Sequence, residues 1–259
     1  MDPLYIIKVG GNIIDDDQKL KSFLSEFSHI QGKKILVHGG GKLATKLAQD
    51  LSIPQQMVDG RRITDAETLK IVTMVYAGLI NKQIVAQLNS SGCTSMGICG
   101  ADANTIIAHK RKHPSIDFGF VGDIDEINTS ILVTLLNENI NIVIAPITQD
   151  GNGQLLNTNA DTIAQEIAKA MSKNMDTTLV YSFEKKGVMR DVEDENSVID
   201  KIDKAAFQKL KEENTIVAGM IPKLDHAFAA LAAGVSRVII GDAMELSKLI
   251  KGESGTTIH

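Results

Sequence analysis

A lysine and paired glycines accompany the first apolar run of the chain, a combination suited to binding a phosphate. The segment Lys8-Val9-Gly10-Gly11-Asn12 places an ammonium group inside the run and two glycines directly behind it. Burying a cation in a covered sheet is costly unless it meets an anion, and glycines allow a phosphate to approach the backbone. We interpret Lys8, Gly10 and Gly11 as a candidate anion site. Taken alone, the segment also fits a lysine that reaches out of a strand end beside an ordinary turn.

A second glycine cluster, His38-Gly39-Gly40-Gly41-Lys42, lies between an apolar run and a helical pattern. Consecutive amides at a helix N-terminus attract the oxygens of a phosphate or of a phosphoryl group in transfer. The cluster is not a P-loop, because Leu43 follows the lysine where a P-loop has Ser or Thr. It does fit the loose dinucleotide pattern, with Asp59 about 20 residues beyond Gly39, so a nicotinamide-binding domain is an alternative. Against it, Asp59 belongs to a turn dipeptide rather than to a buried strand end.

A third polar cluster precedes a helical pattern near the middle of the chain. Asn159 is a natural N-cap, and Asp161 in the first turn complements the helix dipole. The amide of Asn157 offers two donors and an acceptor, which suits the orientation of a carboxylate or amide substrate. The cluster therefore fits both a helix cap and a substrate site.

Two further cations complete the set of candidates. Lys223, in Gly219-Met220-Ile221-Pro222-Lys223, stands at a predicted helix start, where the helix dipole disfavours a cation unless an anion is near. Arg62 follows the turn dipeptide Asp59-Gly60 and has the donor geometry to clamp a substrate carboxylate. A solvated arginine on a hairpin fits the same position.

The elements that carry these residues alternate between short β-branched runs and longer helical patterns. Such alternation predicts βα units and an α/β fold, a three-layer αβα sandwich with a mostly parallel central sheet. Ligands of such sheets bind beyond the carboxyl ends of the strands, where the clusters lie. Strands are predicted at residues 4–9, 34–37, 94–98, 105–108, 118–121, 140–145, 177–181, 235–240 and 255–258, and helices at 16–27, 42–50, 130–137, 160–171, 205–212 and 223–233.

Two hairpins and one long helix complete the predicted elements. Turn dipeptides at Asp59-Gly60 and within 150–153 mark the hairpins. Thr64 and Glu67 form a Thr-x-x-Glu capping box at the start of a helix that runs to about Leu88. No low-complexity linker divides the chain. We therefore expect one domain with two lobes, residues 1–174 and 175–259, joined by a hinge.

Composition excludes several classes of function. The 259 residues carry a net charge of −5 with Lys and Arg scattered, so no nucleic-acid partner is expected. The apolar runs are shorter than a membrane span requires, and no basic signal region precedes the first strand, so a cytoplasmic protein is expected. Cys93 and Cys99 have neither metal nor redox spacing, and the histidines are dispersed, so no structural metal site is predicted.

In this order, the clusters resemble those of the amino acid kinase family over essentially the whole chain. The resemblance rests on Lys-x-Gly-Gly at 8–11, His-Gly-Gly-Gly at 38–41, Gly-x-Arg-x-Thr at 60–64, Asn-x-Asn-Ala-Asp at 157–161 and Gly-Met-x-x-Lys at 219–223. Each motif is weak alone, but the set is specific. It implies a carbamate kinase-like fold and phosphoryl transfer from ATP. The third and fourth motifs favour the branch that phosphorylates the side-chain carboxylate of an N-acylglutamate, such as N-acetyl-L-glutamate in arginine biosynthesis.

The resemblance also implies roles for individual residues. Lys8 and Lys223 would stabilise the transferring phosphoryl group, with Asp161 holding both lysines. Since the attacking carboxylate is ionised near neutral pH, no general base is required. ATP would carry Mg²⁺ on its phosphates. The other implied residues are Gly40, Gly41, Arg62, Asn157 and Asn159 for the acylglutamate, and Gly10, Gly11, Glu184, Gly187, Gly219 and Met220 for the nucleotide.

The chain departs from the family pattern at two places. Phe183 stands where relatives usually have Thr or Ser, although Glu184 keeps a carboxylate beside it. Arg61 adds a second cation beside Arg62, which raises N-succinylglutamate as an alternative substrate. Relatives inhibited by arginine carry an extra helix before the first strand, which here begins by about Leu4, so an arginine-insensitive homodimer is expected. Other activities of the family and a non-catalytic, amino-acid-sensing module are the remaining alternatives.

Overall fold

The computed structural model describes residues 3–58, 61–191, 194, 196–213, 215–216 and 220–259. The predicted turn at Asp59-Gly60 and the candidate residue Gly219 lie outside these residues. The chain divides into two compact units, the first formed by residues 1–35 and 164–259 and the second by residues 36–163. The predicted division of binding roles between residues 1–174 and 175–259 stays a prediction.

Strands and helices alternate along most of the chain, as the hydrophobic pattern predicts. The strands are β1 (Leu4–Val9), β2 (Lys33–His38), β3 (Gln56–Val58), β4 (Arg61–Ile63), β5 (Ser95–Cys99), β6 (Ile106–Lys110), β7 (Gly122–Ile127), β8 (Asn141–Ala145), β9 (Ile147–Gln149), β10 (Leu155–Asn157), β11 (Thr177–Phe183), β12 (Lys201–Ile202), β13 (Arg237–Asp242) and β14 (Thr256–Ile258). The helices are α1 (Gly11–Ile14), α2 (Asp17–His29), α3 (Gly41–Asp50), α4 (Ala66–Thr73), α5 (Asn81–Ser90), α6 (Thr129–Asn137), α7 (Ala160–Met171), α8 (Lys204–Glu212), α9 (Ile221–Ala232) and α10 (Leu246–Lys251). A π-helix, Met74–Ile80, joins α4 to α5.

The first unit is built on a mostly parallel sheet with the strand order β12-β14-β13-β11-β1. Strands β1, β11 and β13 run parallel, and β14 is antiparallel to β13. Ile6 and Ile7 point to opposite faces of β1, and both are fully buried. Helix α2 packs beside α10 and buries Phe23 and Phe27. Both faces of this sheet are therefore covered, as predicted for a parallel sheet.

The second unit contains further parallel strands and two smaller sheets. Strand β2 enters it from the first unit and is followed in the sheet by β8 and then β5, which run parallel to each other. Helix α5 packs on β5 and β8, and α6 packs on β8. Strands β10, β9, β6 and β7 form a separate sheet in that order, and β3 pairs with β4 as the first predicted hairpin. The second predicted hairpin is formed by β9 and β10.

The helix near residue 64 starts differently from the prediction. Its N-cap is Asp65 rather than Thr64, and the Asp65 carboxylate accepts a hydrogen bond from the Thr68 amide at 2.7 Å. Thr64 is extended, since its N–H donates to the Phe118 carbonyl at 2.9 Å and its own carbonyl accepts from the Phe120 amide at 2.6 Å. The capping-box prediction is therefore wrong, because pairing with the 118–120 segment keeps Thr64 out of the helix.

The 118–121 segment is likewise not the strand that the pattern predicts. It forms isolated bridges, Gly119 with Thr64 and Val121 with Asn157, and the regular strand β7 begins only at Gly122. The sequence reading also missed the short elements α1, α10 and β12. Two to six residues carry too little periodicity to distinguish a short element from a loop.

The helical segment Ala66–Ser90 has the length and hydropathy of a membrane span, and it is the one such segment among the described residues. Of the most apolar 18-residue stretch of this segment, 44% is buried inside the protein. Its C-terminal part packs on β5 and β8. Since the core helix of a soluble protein passes the same test, the segment gives weak evidence for a membrane location.

Candidate active site

The carboxyl ends of β1 and β11 hold the first predicted site residues. Lys8 is half-buried near the end of β1 and lies opposite Tyr181 in the parallel register. The Ser182 hydroxyl donates to the Lys8 carbonyl at 2.8 Å, and the Gly10 amide donates to the Ser182 carbonyl at 3.1 Å. These bonds tie the backbone on both sides of Val9 to β11, so the position at which the chain leaves the sheet is fixed.

Among the described residues of the first unit, packing does not require glycine at positions 10 and 11. The nearest atoms to a Cβ on Gly10 would be Phe183 Cβ and the Ser182 carbonyl oxygen at 3.7 Å and Phe183 Cα at 3.9 Å, and a Cβ on Gly11 would meet Asp15 Oδ2 at 3.7 Å. These are ordinary van der Waals distances. An alanine would therefore fit both positions as far as the described residues show, so their packing gives no reason for the two glycines.

Lys223 lies in the first turn of α9, and its ammonium nitrogen is 4.6 Å from the centroid of the Phe183 ring. Phe183 is the last residue of β11, which is paired with β1 up to Val9 and Ser182. The first unit therefore brings Lys8 and Lys223 to the carboxyl end of the same pair of strands, although the two residues are far apart in the sequence.

The predicted nucleotide residues of the first unit differ in their surroundings. The exposed Glu184 carboxylate accepts a hydrogen bond from the Asn12 side chain. Gly187 is buried, and a Cβ on it would come within 2.7 Å of Thr256 Oγ1 and 2.9 Å of Val198 Cγ1. Met220 immediately precedes α9. Glu184 thus borders the glycine turn after β1, whereas packing alone already requires a glycine at position 187.

The glycine cluster of the second unit contains a residue whose backbone conformation requires glycine. Gly40 has a φ of +152°, which L side chains rarely adopt, and a Cβ on it would overlap Ile80 and approach Tyr76 at 3.0 Å. Ile80 and Tyr76 belong to the π-helix. Gly40 is also the N-cap of α3 and provides no side-chain cap. The first-turn amides of α3, beginning with Gly41, therefore have no side-chain cap to bind them.

A buried polar network supports this glycine cluster. His38 is fully buried at the end of β2, and its Nδ1–H donates to the Gly39 carbonyl at 2.8 Å. That tautomer leaves Nε2 to accept from the Asn81 amide at 3.3 Å, and the same amide donates to the Val143 carbonyl at 3.0 Å. Burial lowers the pKa of His38 from 6.5 to about 4; the bond to Gly39 opposes this shift and the charge of Lys82 adds to it. His38 is therefore a neutral support at physiological pH.

Arg62 connects the β3–β4 hairpin to the glycine cluster. Its guanidinium donates from Nη2 to the Gly41 carbonyl at 2.9 Å and to Thr45 Oγ1 at 2.8 Å, and from Nη1 to the Gln55 side chain. Both Nη2 hydrogens are thus engaged, so a bidentate contact with a carboxylate through Nη2 requires one of these bonds to open. Arg61 is exposed and precedes Arg62 in β4, so its side chain points to the opposite face of the strand.

The asparagine and aspartate cluster begins at Asn157, the last residue of β10, in the second unit. Asn157 donates from Nδ2 to Thr64 Oγ1 at 3.0 Å. The Asn159 side chain accepts from the Asp161 and Thr162 amides at 2.8 and 3.1 Å, so it caps the start of α7 as its residue type predicts. Asp161 lies in the first turn of α7. That Asp161 holds the two lysines stays a prediction.

Sequence reasoning missed Asn81 and Gly97, which belong to the buried network. Asn81 is 1% exposed, and its Oδ1 accepts from the Lys82 ammonium at 3.1 Å. A Cβ on Gly97 would overlap Asn81 Oδ1, so the glycine makes room for the amide. Asparagine is an ordinary residue type on a helix, but Ile84, Val85 and Leu88 follow it by three, four and seven positions, and this spacing could have placed Asn81 on the apolar face.

Two groups of predicted site residues are each assembled within one unit, and Asn157, Asn159 and Asp161 form a further cluster between β10 and α7. Lys8, Gly10, Lys223 and Glu184 meet around the end of β11, and Gly40, Gly41 and Arg62 meet at the start of α3. Among the described residues no group of three His, Cys, Asp or Glu side chains is placed to hold a metal ion.

Comparison with known proteins identifies close relatives over the whole chain. The model of the amino acid kinase family matches residues 3–242. Acetylglutamate kinase from Cytophaga hutchinsonii is 56% identical over 251 residues, which cover 96% of this chain and 95% of the relative. Acetylglutamate kinase from Parabacteroides distasonis is 52% identical over 246 residues, 95% of this chain and 96% of the relative.

A more distant solved structure has the same fold. Carbamate kinase from Giardia lamblia bound to AMP-PNP superposes with a TM-score of 0.72 over 99% of this chain and 98% of its own, at 15% identity. At that identity the likeness shows the fold alone. The predicted α/β fold with a mostly parallel sheet flanked by helices, of the carbamate kinase-like kind, is confirmed.

Proposed function

The chain belongs to the amino acid kinase family, and we propose that it transfers the γ-phosphoryl group of ATP to the side-chain carboxylate of N-acetyl-L-glutamate. The product is an acyl phosphate, and the reaction belongs to arginine biosynthesis. The observation that carries this function is the 56% identity to an acetylglutamate kinase over nearly the full length of both chains. The pair of lysines at the end of β1 and β11 supplies the chemistry that such a transfer needs.

In the proposed mechanism, Lys8 and Lys223 neutralise the charge that spreads over the phosphoryl oxygens during transfer. Phosphoryl transfer needs little covalent chemistry from the protein, and positioned cations supply most of the stabilisation. The backbone of each lysine is held by regular secondary structure, Lys8 in β1 and Lys223 in the first turn of α9. Asp161 is proposed to hold the two ammonium groups apart by ion pairing.

The attacking group needs no general base. A side-chain carboxylate is already ionised near neutral pH, so its oxygen attacks the phosphorus directly while the bond to the ADP oxygen breaks. His38, the histidine beside the glycine cluster, is unsuited to the role of base because its Nδ1–H is donated to Gly39 and its Nε2 accepts from Asn81. His38 therefore holds the glycine cluster in place and does not transfer a proton.

The acylglutamate is proposed to bind through the second unit. Gly40 and Gly41 offer backbone amides at the N-terminus of α3, where negative oxygens are favoured. Arg62, already beside Gly41, is proposed to bind a carboxylate of the substrate, together with Asn157 and Asn159. Arg62 can do so by exchanging its bond to Gln55 or Thr45 for one to the ligand.

The nucleotide is proposed to bind through Gly10, Gly11, Glu184, Gly187, Gly219 and Met220. Packing among the described residues does not require glycine at positions 10 and 11, which supports their role, and Gly219 lies outside the described residues. We propose that Mg²⁺ enters with the nucleotide, held by phosphate oxygens and water, since Mg²⁺ binds readily through substrate phosphates. In this scheme residues 1–174 serve mainly the acylglutamate and dimer contacts, and residues 175–259 serve ATP.

We also propose a cytoplasmic homodimer that is insensitive to arginine. Sedimentation would report the oligomeric state, and a hexamer contradicts the proposal. Initial rates with and without arginine test the second part, and inhibition by arginine contradicts it.

Hydroxylamine trapping tests the activity itself. The protein is incubated with ATP, Mg²⁺ and either N-acetyl- or N-succinylglutamate, and the acyl phosphate is captured as a hydroxamate. We expect hydroxamate with N-acetylglutamate, in an amount that depends on ATP. If neither acylglutamate gives hydroxamate, the proposed function is wrong. A strong preference for N-succinylglutamate would instead make it the substrate, the alternative suggested by Arg61.

A further inference from the structure

The last residues of β11 contact both predicted catalytic lysines. Ser182 binds the Lys8 carbonyl, and the next residue, Phe183, lies beneath the Lys223 ammonium. Phe183 also flanks Gly10, whose Cβ position is 3.7 Å from Phe183 Cβ. A half-exposed aromatic ring therefore stands between the glycine turn after β1 and the first turn of α9.

The contact between Lys223 and Phe183 is suited to fixing the direction of a flexible cation. An ammonium group within about 6 Å of a ring centroid is attracted by the negative face of the ring, and the distance here is 4.6 Å. A lysine ammonium ends a long stem with many rotamers, so a ring on a rigid strand restricts where it points. The face of a ring carries no formal charge, so it competes with phosphoryl oxygens less than a carboxylate would.

We propose that Phe183 is a positioning residue, which aims the Lys223 ammonium at the carboxyl end of β1 and β11 where the phosphoryl group is transferred. This inference rests on the proposed kinase function and deepens it. It also gives a physical reason for an aromatic residue where the family pattern predicts a hydroxyl, because the face of the ring contacts the Lys223 ammonium.

The first test separates aiming from nucleotide binding. Phe183→Leu removes the ring and keeps an apolar side chain of similar size, whereas Phe183→Tyr keeps the ring face as the conservative rescue. We expect Phe183→Leu to lower kcat about tenfold, which corresponds to about 1.4 kcal/mol, with the KM for ATP within about twofold of wild type. Phe183→Tyr should recover most of kcat. An unchanged kcat in Phe183→Leu, or a raised KM for ATP with kcat unchanged, overturns the proposal.

A double-mutant cycle tests whether Phe183 acts through Lys223. If it does, Phe183→Leu has no further effect on kcat once Lys223→Ala is present, because the coupled group is gone. Equal losses in the wild-type and Lys223→Ala backgrounds would show that the ring acts independently and would overturn the proposal.

A matched control exists in the same unit. Lys211 lies over the ring of Phe207 at 4.2 Å, in a cation–π contact on α8. Phe207→Leu removes an equivalent contact outside the proposed site, so we expect it to lower the melting temperature but to leave kcat within about twofold. Melting temperatures of all variants establish that each one folds.

A spectroscopic readout keeps this inference distinct from the proposed function. The ring should shift the Lys223 ε-methylene protons upfield, and the signal is assigned in lysine-labelled protein by its loss in Lys223→Arg. We expect the shift to disappear in Phe183→Leu, whether or not the substrate has been identified correctly. A wild-type Lys223 signal at the ordinary lysine position overturns the contact even in an active kinase, whereas inactivity on both acylglutamates refutes the function alone.

Discussion

The two glycine turns of this chain each follow a strand of the large sheet, β1 or β2, but are glycine-rich for different reasons. In the second unit, Gly40 has a φ of +152° and no room for a Cβ beside Ile80, so its own fold requires glycine there. In the first unit, Gly10 has an ordinary extended conformation with a φ of −74°, and its surroundings would accept a Cβ. Gly40 is therefore required by the shape of its loop, whereas the described surroundings of Gly10 do not require a glycine, in line with the proposal that Gly10 borders the nucleotide.

The supports of the two turns differ in the same way. The second turn rests on neutral, fully buried groups, with His38 holding the Gly39 carbonyl and Asn81 holding His38. The first turn rests on the end of β11 and has Lys8 beside it and the ring contact of Lys223 nearby. One turn is supported by neutral buried side chains and the other lies beside two lysines, so substitutions in the two should separate stability from activity.

Gly40→Ala should give the largest loss of stability. The substitution places a side chain in a backbone conformation that costs about 1–3 kcal/mol and overlaps Ile80, which adds a further cost of overpacking. We expect the free energy of unfolding to fall by about 3 kcal/mol, measured by urea denaturation at constant m-value. A loss of unfolding free energy below about 1 kcal/mol would mean that the loop relaxes easily. Gly40 would then be no more necessary for stability than Gly10.

The His38 network should make stability depend on pH. The unfolded chain binds a proton on His38 below pH 6.5, whereas the folded protein does so only near pH 4. Stability therefore falls as the pH drops from 6.5 towards 4, by about 2 kcal/mol at pH 5 relative to pH 8. His38→Asn has no titrating group at this position and should lack that part of the pH dependence. Parallel pH profiles of the wild type and the variant would contradict the burial of a neutral His38.

Gly187→Ala tests whether a predicted nucleotide residue is needed for packing. Its Cβ would press on Thr256 Oγ1 and Val198 Cγ1, at 2.7 and 2.9 Å. A small overlap of this kind costs about 1 kcal/mol or more, so we expect a loss of about 1 kcal/mol in unfolding free energy. A raised KM for ATP at unchanged stability would instead support direct contact with the nucleotide.

Gly10→Ala should have the smallest effect on stability. Alanine fits the observed backbone conformation and restricts the unfolded chain, so we expect no loss of stability or a gain of about 0.5 kcal/mol. Activity should fall about tenfold or more, because the methyl group occupies the space proposed for the nucleotide phosphates. Full activity in hydroxamate formation would show that Gly10 does not border a ligand.

The fold was predictable because its signals are local. Alternation of β-branched runs and helical patterns predicts β1, β2, β8, β11 and α7 within a residue or two of their observed bounds. The helix start predicted at Thr64 is wrong, because a local pattern does not report tertiary contacts. A Thr-x-x-Glu pattern competes there with pairing to residues 118–120, a tertiary contact that no local pattern reveals.

Only part of the site could be read from the sequence. Lys8, the glycine turns and Lys223 stand out because lysine and glycine are unusual beside buried strands and at helix starts. Asn81 and the ring contact of Phe183 do not stand out, because an asparagine on a helix and a phenylalanine in a strand are ordinary residues. Their roles come from neighbours distant in the sequence, His38 and Lys223, which only the fold brings near.

The proposed mechanism depends on two lysines of the first unit, and kcat for hydroxamate formation by Lys8→Ala and Lys223→Ala tests it most directly. With saturating ATP, Mg²⁺ and N-acetylglutamate, we expect each variant to lose at least about 10²-fold in kcat, the scale of losing one preorganised stabilising group. Lys209→Ala, which removes an exposed lysine of the same unit, is the matched control and should keep wild-type kcat. Wild-type kcat in both Lys8→Ala and Lys223→Ala would contradict the mechanism.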